Sequence, residues 1–305
     1  MDELQESITD ESWKQSLRSA IITVLTESGQ TKNKALEQVG YYYQYCAPAF
    51  LYKYYRDQAL NLDSVMSNKM WYSAPCNFND AFDCDVAIDE QAIFKSLLPA
   101  VPGGKIIRKG SPVWLQLKSS LHKQITLLHR IFEDQKVSMG IACLSEVPDS
   151  ILMWSHYANN HRGFCVAYNL LDLNHKLQFS AVPVLYTQER VCLQSISLDQ
   201  SKLNKETMSL FIQSLTSKSM DWSYEKEWRI IRDKSSCGLN WDNKNKGALL
   251  DVISPSAIFL GCYASDELTS TLKQYCQNHK IPLHKMKKDP LLYRLKKETI
   301  WEFDE

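Results

Sequence analysis

FLYKYYRDQALNLDSVMSNKMWYSAP, residues 50 to 75, is the stretch on which the fold turns. Phe50 to Tyr55 gathers aromatic side chains into a short run and reads as a strand. Leu60 to Asn68 carries Leu62 and Val65 and reads as a short helix, after which Met70 to Ala74 returns to strand and Pro75 stops it. Downstream, strands and helices stay interspersed without a strict strand–helix–strand rhythm. Strands are expected at Val137–Leu144, Phe164–Tyr168, Val182–Tyr186 and Glu227–Arg232, with β-rich runs at Leu249–Ile253 and Ile258–Leu260 and an edge strand at Leu283–Lys287. Helices are expected at Ile151–Ala158, Lys202–Ser219 and Leu268–Asn278. The mixture predicts an α+β fold, a split and bent mixed β-sheet with surrounding helices.

Residues 1–48 read as a helical N-terminal extension. Trp13, Leu17, Ile21 and Val24 recur at helical spacing, Gly29 is placed to end that helix, and Thr31 to cap a second one with Leu36, Val39 and Tyr43. The pair holds too few apolar residues to bury a core alone. Residues 49–305 then form a single α+β domain with a helical insertion at about 89–136. In that insertion Ser111-Pro112 opens a helix whose stripe runs Trp114, Leu117, Leu121, Ile125, Leu128, Phe132.

Thirty-five basic residues balance thirty-five acidic ones, so no bulk charge draws the chain to nucleic acid or an anionic membrane, and any such contact has to come from a local patch. The nine cysteines are scattered and include no C-x-x-C pair, which argues against a disulfide framework and against structural zinc. Neither common glycine-rich phosphate loop occurs. The acidic start, Met1 to Glu6, is unlike a signal peptide, and Ala20–Leu25 is far too short to span a bilayer. A cytoplasmic protein with no membrane partner is expected.

Four polar-aromatic clusters carry the chemistry. They are Leu51-Tyr52-Lys53-Tyr54-Tyr55-Arg56; Trp71-Tyr72-Ser73-Ala74-Pro75 leading into Asn77-Phe78-Asn79-Asp80-Ala81-Phe82-Asp83; Ser145-Glu146 followed by Met153-Trp154-Ser155-His156-Tyr157 and His161-Arg162-Gly163; and Trp222-Ser223-Tyr224-Glu225-Lys226-Glu227-Trp228-Arg229. In this combination, from about residue 51 to 262, the chain resembles the bacterial domain of unknown function 2971 family. Ala81 stands where that family usually has proline, and Tyr55 separates Lys53-Tyr54 from Arg56. The family name implies no mechanism.

If Glu225 to Ile231 is a strand, Glu225, Glu227 and Arg229 share one face and Lys226, Trp228 and Ile230 the other, with the carboxylates about 7 Å apart. The first expectation is a half-buried strand whose charged face meets solvent. The flanking Trp222 and Tyr224 favour instead a cleft for a planar ligand. The order of elements, a Leu-Tyr strand, a short helix, a strand bearing Ser73 and a late strand bearing Glu-x-Glu, resembles the ADP-ribosyltransferase superfamily in outline. That resemblance implies NAD as substrate and a macromolecular acceptor, protein or nucleic acid, in a bacterial toxin or phage-defence effector. Glu227, with Glu225, would stabilise positive charge on the ribose, Tyr54 or Tyr72 would stack on nicotinamide, and Lys53 stands in for the superfamily's first-strand arginine or histidine.

His156 and His161 lie about 140° apart on a helix, so they form no H-E-x-x-H pair, though a helix end at Asn159-Asn160 would let His161 fold back toward His156. Their plainer role is packing. Asn79, Asp80 and Asp83 read first as turn and capping residues. Two other classes stay open: a Mg²⁺-dependent nuclease or phosphodiesterase built on Asp80, Asp83, Glu146, Glu225, Glu227 and Lys53, and a non-catalytic ligand- or partner-binding module. A single concavity is expected to gather Lys53, Asn79, Asp80, Glu146, His156, His161, Glu225, Glu227 and Arg229 as one site, with Tyr54, Tyr72 and Ser73 on its dinucleotide side.

Overall fold

The structure, a computed structural model, describes residues 11–97, 108–177, 181–195 and 200–302. Its helices are α1 (Glu11–Thr26), α2 (Gly29–Tyr45), α3 (Ala59–Met66), α4 (Glu90–Leu97), α5 (Pro112–Lys136), α6 (Ile151–Tyr157), α7 (Leu170–Leu177), α8 (Gln200–Leu215), α9 (Lys234–Cys237) and α10 (Asp266–His279). The strands are β1 (Phe50–Tyr55), β2 (Lys69–Ser73), β3 (Ala87–Ile88), β4 (Met139–Ser145), β5 (Phe164–Asn169), β6 (Val182–Pro183), β7 (Leu185–Thr187), β8 (Cys192–Leu193), β9 (Ser217–Ser219), β10 (Glu227–Asp233), β11 (Trp241–Asp242), β12 (Gly247–Asp251), β13 (Ala257–Leu260), β14 (Leu283–Lys288) and β15 (Leu295–Trp301). The fold is α+β.

The main sheet runs β11-β12-β2-β4-β1-β5-β13-β14-β15, with β10 on β4 and β6 on β10. Among the described residues, only β13 and β14 pair in parallel within it. Its split lies at β4. That strand is registered to β10 along its whole length, whereas on its other edge β2 and β1 each meet it at one pair, Ser73–Ile141 and Tyr52–Ser145. β1 is instead paired over six residues with β5. β1 and β4 therefore part beyond Tyr52, and a gap opens between them.

α1 and α2 are part of the core rather than an appendage to it. Leu17, Ile21, Val39 and Tyr43 belong to the same buried cluster as Leu51, Val166 and Trp228 of the sheet. A second cluster joins Leu121, Ile125 and Phe132 of α5 to Phe211 of α8, so the insertion is packed through its apolar stripe. Residues 98–107 of that insertion and 1–10 of the N-terminal extension lie outside the described residues.

Several boundaries differ from the sequence reading. Gly29 opens α2 with a left-handed φ of 62°, instead of Thr31 capping it. The run Val182–Tyr186 is divided at Val184: β6 joins the main sheet and β7 pairs with β9. The helix expected through Ser219 stops at Leu215, and Ser217–Ser219 is strand. β14 is no edge strand, because β15 covers it and takes the edge. β15 alternates too weakly between apolar and polar to be seen in the sequence.

Candidate functional site

A cavity of about 430 Å³ opens where β1 leaves β4. β1 contributes Tyr52, Lys53 and Tyr54; β4 contributes Cys143 and Leu144; α6 contributes Met153, His156 and Tyr157. The loop after β2 closes one side with Phe78, Asn79 and Asp83, and Lys218, Trp222, Glu225 and Glu227 form the far wall.

That far wall is built by a local turn. Residues 220–225 form a 3-10 turn that ends at Glu225, Lys226 takes a left-handed φ of 43°, and β10 starts at Glu227. Glu225 thus precedes the strand rather than lying on it, and the turn brings its carboxylate onto the same ammonium as that of Glu227. Lys218 Nζ sits 2.7 Å from Glu225, 3.2 Å from Glu227 and 3.6 Å from Asp83. Arg229 grips Glu227 with Nε and Nη2 at 2.7 and 3.1 Å and reaches Asp83 at 2.8 Å. Its Nη1 donates to the Leu215 carbonyl at 2.9 Å and to Cys84 Sγ at 3.2 Å.

The expected solvent-facing charged strand is overturned: Glu227 is 4 % exposed and Arg229 fully buried. Charges this deep persist only when paired and hydrogen-bonded. Three carboxylates meet two cations here, so one negative charge is in excess. The proton affinities follow. Burial works to raise Glu227, but Arg229 and Lys218 outweigh it and hold this carboxyl far below the usual range. Burial raises Glu225, and the nearby Glu227 charge adds to the rise against the pull of Lys218. Tyr157 Oη donates a 2.5 Å hydrogen bond to Glu225, while burial, then the Glu225 charge, pushes that phenol up. One glutamate stays ionised and its neighbour holds a proton more readily.

Opposite them, Lys53 reaches across the gap and donates to the Cys143 carbonyl at 3.1 Å. Burial lowers its ammonium pKa. Among the described residues it has no carboxylate within 4.0 Å, and its ammonium lies 5.8 Å from the centre of the Tyr55 ring. Trp222 lies under the Lys218 ammonium at 4.9 Å, and Phe78 lies under the Arg229 guanidinium at 5.5 Å, so the cations are sandwiched between carboxylates and rings.

The structure brings Lys53, Tyr54, Asn79, His156, Glu225 and Glu227 to one cavity, with Arg229 directly behind Glu227. It does not gather the remaining expected residues there. Asp80 accepts the Phe82 amide at 2.9 Å and stabilises the loop. Glu146 lies behind β10, where it accepts Trp228 Nε1 at 2.7 Å and pairs with Lys14 at 2.6 Å. Tyr72 is fully buried in the sheet core, so its ring has no face open to a ligand, and Ser73 is bonded to its own loop. His161 does not fold back toward His156. Left-handed residues at Asn159, Asn160 and His161 turn it onto Ser155 Oγ at 3.0 Å and against the Trp154 ring, where it lines a different cavity. Sequence reasoning missed Lys218 altogether, since it falls inside the run read as helix. It also missed Tyr157 as a partner and took Asp83 for a turn residue.

Residues 153–230 match the family model of DUF2971, a protein of unknown function. No curated protein and no solved structure matches the chain. The DUF2971 segment runs from α6 into β10 and so holds one half of the cavity, with His156, Tyr157, Lys218, Glu225 and Glu227. The other half, on β1, β4 and the loop after β2, comes from outside it.

Proposed function

We propose that this cavity breaks an N-glycosidic bond to ribose, and that the chain is an ADP-ribosyltransferase-like enzyme with NAD as its substrate. The observation that carries the reading is the pair Glu225 and Glu227, held on one lysine with proton affinities driven apart. Two titratable groups separated in this way are what acid–base division of labour requires. Glu227, kept ionised by Arg229 and Lys218, supplies fixed negative charge where positive charge develops on the ribose as nicotinamide leaves. Glu225, in its ionised form, takes the proton of the incoming acceptor. Lys53 and the exposed Arg56 offer cations for a pyrophosphate, and Trp222 and Tyr157 offer rings for a planar base, while Tyr54 is packed edge-on against Trp154. A cavity of about 430 Å³ falls within the range of small-molecule sites. A toxin or phage-defence role belongs to the same reading.

The metal-dependent nuclease is less well supported. Asp83, Glu225 and Glu227 already face Lys218 and Arg229, and among the described residues no three His, Cys, Asp or Glu side chains cluster as metal ligands.

The test is nicotinamide release from NAD in the presence of EDTA. Glu225→Gln is the main variant; it keeps the side chain's size but removes a carboxylate that accepts from Lys218 Nζ at 2.7 Å and from Tyr157 Oη at 2.5 Å, so its melting temperature is measured as well. It is expected to lose about 10²–10⁴ in rate with the fold retained. Glu227→Gln is expected to lose about 10²–10³ in rate. It also disrupts a buried ion pair at a cost of about 3–5 kcal/mol, so its melting temperature is measured alongside. Nicotinamide release unaffected in folded Glu225→Gln sinks the assignment. EDTA-sensitive cleavage of nucleic acid without nicotinamide release supports the nuclease in its place.

A further inference from the structure

The chain is neutral as a whole, but its last hairpin is not. β14 and β15 and the turn between them carry Lys285, Lys287, Lys288, Arg294, Lys296 and Lys297 against Asp289 and Glu298. Asp289 takes Arg294 at 2.8 Å and Lys296 at 2.7 Å, and Glu298 takes Lys287 at 3.1 Å. Lys288 and Lys297 have no carboxylate partner among the described residues. The β14–β15 register pairs Met286 with Lys297 and Lys288 with Leu295, so these two lysines share the face on which Met286 and Leu295 pack toward Trp154 of α6.

That face borders a second cavity, about 490 Å³, between the hairpin turn and α6. Its rim presents aromatic rings. Tyr293 is fully exposed at the turn, and Tyr263 is more than half exposed with Lys288 over its ring at 5.4 Å. His161 lines the same cavity, edge-on to Tyr263 at 6.2 Å, and its buried Nδ1 has no hydrogen-bond partner among the described residues.

We propose that this hairpin face is a docking surface for single-stranded nucleic acid. Lysines without a carboxylate partner near exposed rings, with Lys288 also donating to Tyr263 Oη at 3.2 Å, are what a single strand needs: cations for the phosphates, and rings on which unpaired bases stack. A duplex would hide its bases from Tyr293 and Tyr263. Charge complementarity selects an anionic partner, and the rings select one with flat, exposed faces. As an acceptor for the cavity on the other side of α6, the nucleic acid rests on the transferase reading. Its binding does not.

The experiment is fluorescence anisotropy of a labelled single-stranded oligonucleotide with the full chain and no NAD, across a salt series. Binding is expected to weaken with salt. Lys288→Gln combined with Lys297→Gln is expected to make the slope of log affinity against log salt shallower by about 1.4, two phosphate contacts at about 0.7 each on a single strand. Tyr293→Ala is expected to weaken binding roughly tenfold, the loss of one stacked base. These side chains are exposed, so the variants keep the fold. No binding at low salt overturns the proposal. So does equal binding that ignores all three substitutions, or anisotropy lost to competition by anionic phospholipid vesicles that the Tyr293→Ala variant binds undiminished. If the lysines serve only to keep the edge strand β15 from pairing with other chains, the Gln variants aggregate while oligonucleotide affinity stays unchanged, which also overturns it. Nicotinamide release is read separately, so failure of either reading leaves the other standing.

Discussion

At Glu225, burial, two charged neighbours and two hydrogen bonds set a proton affinity. Burial and the Glu227 charge raise it, while Lys218 and the Tyr157 phenol pull it down. Tyr157→Phe removes that phenol and is expected to raise Glu225 further. If Glu225 accepts a proton in its ionised form, the acidic limb of the rate profile moves to higher pH in this variant, with the plateau rate retained at high pH. An unmoved limb removes Glu225 from the titration. Stability is linked to the same two groups with opposite signs. Glu227, held low, stabilises the fold above the ordinary carboxylate range, and that stability is lost as pH falls toward its folded pKa. Glu225, held high, contributes most below the ordinary carboxylate range and loses its contribution as pH rises through its folded pKa.

Among the elements, α6 and the turn after it set the separation of the two cavities. Ser150 caps α6, its hydroxyl accepting the Met153 amide at 3.3 Å, and three left-handed residues, Asn159, Asn160 and His161, follow the helix. Gly163, just before β5, is pressed against β1. A Cβ at Gly163 would lie 2.0 Å from the Tyr55 carbonyl oxygen and 3.1 Å from that of Ala158. Both are backbone atoms of packed elements that cannot swing aside. Gly163→Ala is therefore expected to cost about 3 kcal/mol or more and to disturb β1, which carries Lys53 and Tyr54. Urea unfolding measures the cost, and a midpoint equal to that of the parent chain would show that the contact relaxes freely.

At the scale of the molecule, the N-terminal hairpin and the sheet share one core. Trp13 lies 6.1 Å from Trp228, and Arg18 donates to Ser217 Oγ at 2.7 Å, beside Lys218. α1 therefore touches both strands that carry the far wall of the cavity. Burying Leu17, Ile21 and Val39 is worth about 1.5–3 kcal/mol each, and a whole domain is stable by only roughly 5–15 kcal/mol. Removing residues 1–48 is expected to leave a chain without cooperative thermal unfolding. A soluble fragment with a sharp melting transition would show that residues 49–305 fold alone.

By itself the sequence determined the kinds of element and the chemistry within reach. Aromatic and apolar periodicity marked β1, α3, β2, α5 and α6, and the Glu-x-Glu run marked the wall of the site, because local spacing records which face of an element is apolar. What only the tertiary structure decided was which polar residues meet. Lys218 sits on a three-residue strand after a helix, too short for periodicity to register, and it becomes central because β9 lies beside the turn ending at Glu225. Glu146 and His161 carry the residue types of a site yet face away from it, one behind β10 and one beyond α6. Whether a charged strand face meets water or a second set of charges depends on which elements pack over it. That packing is set by contacts such as Asp83 to Arg229, 146 positions apart in the chain, which no local pattern encodes.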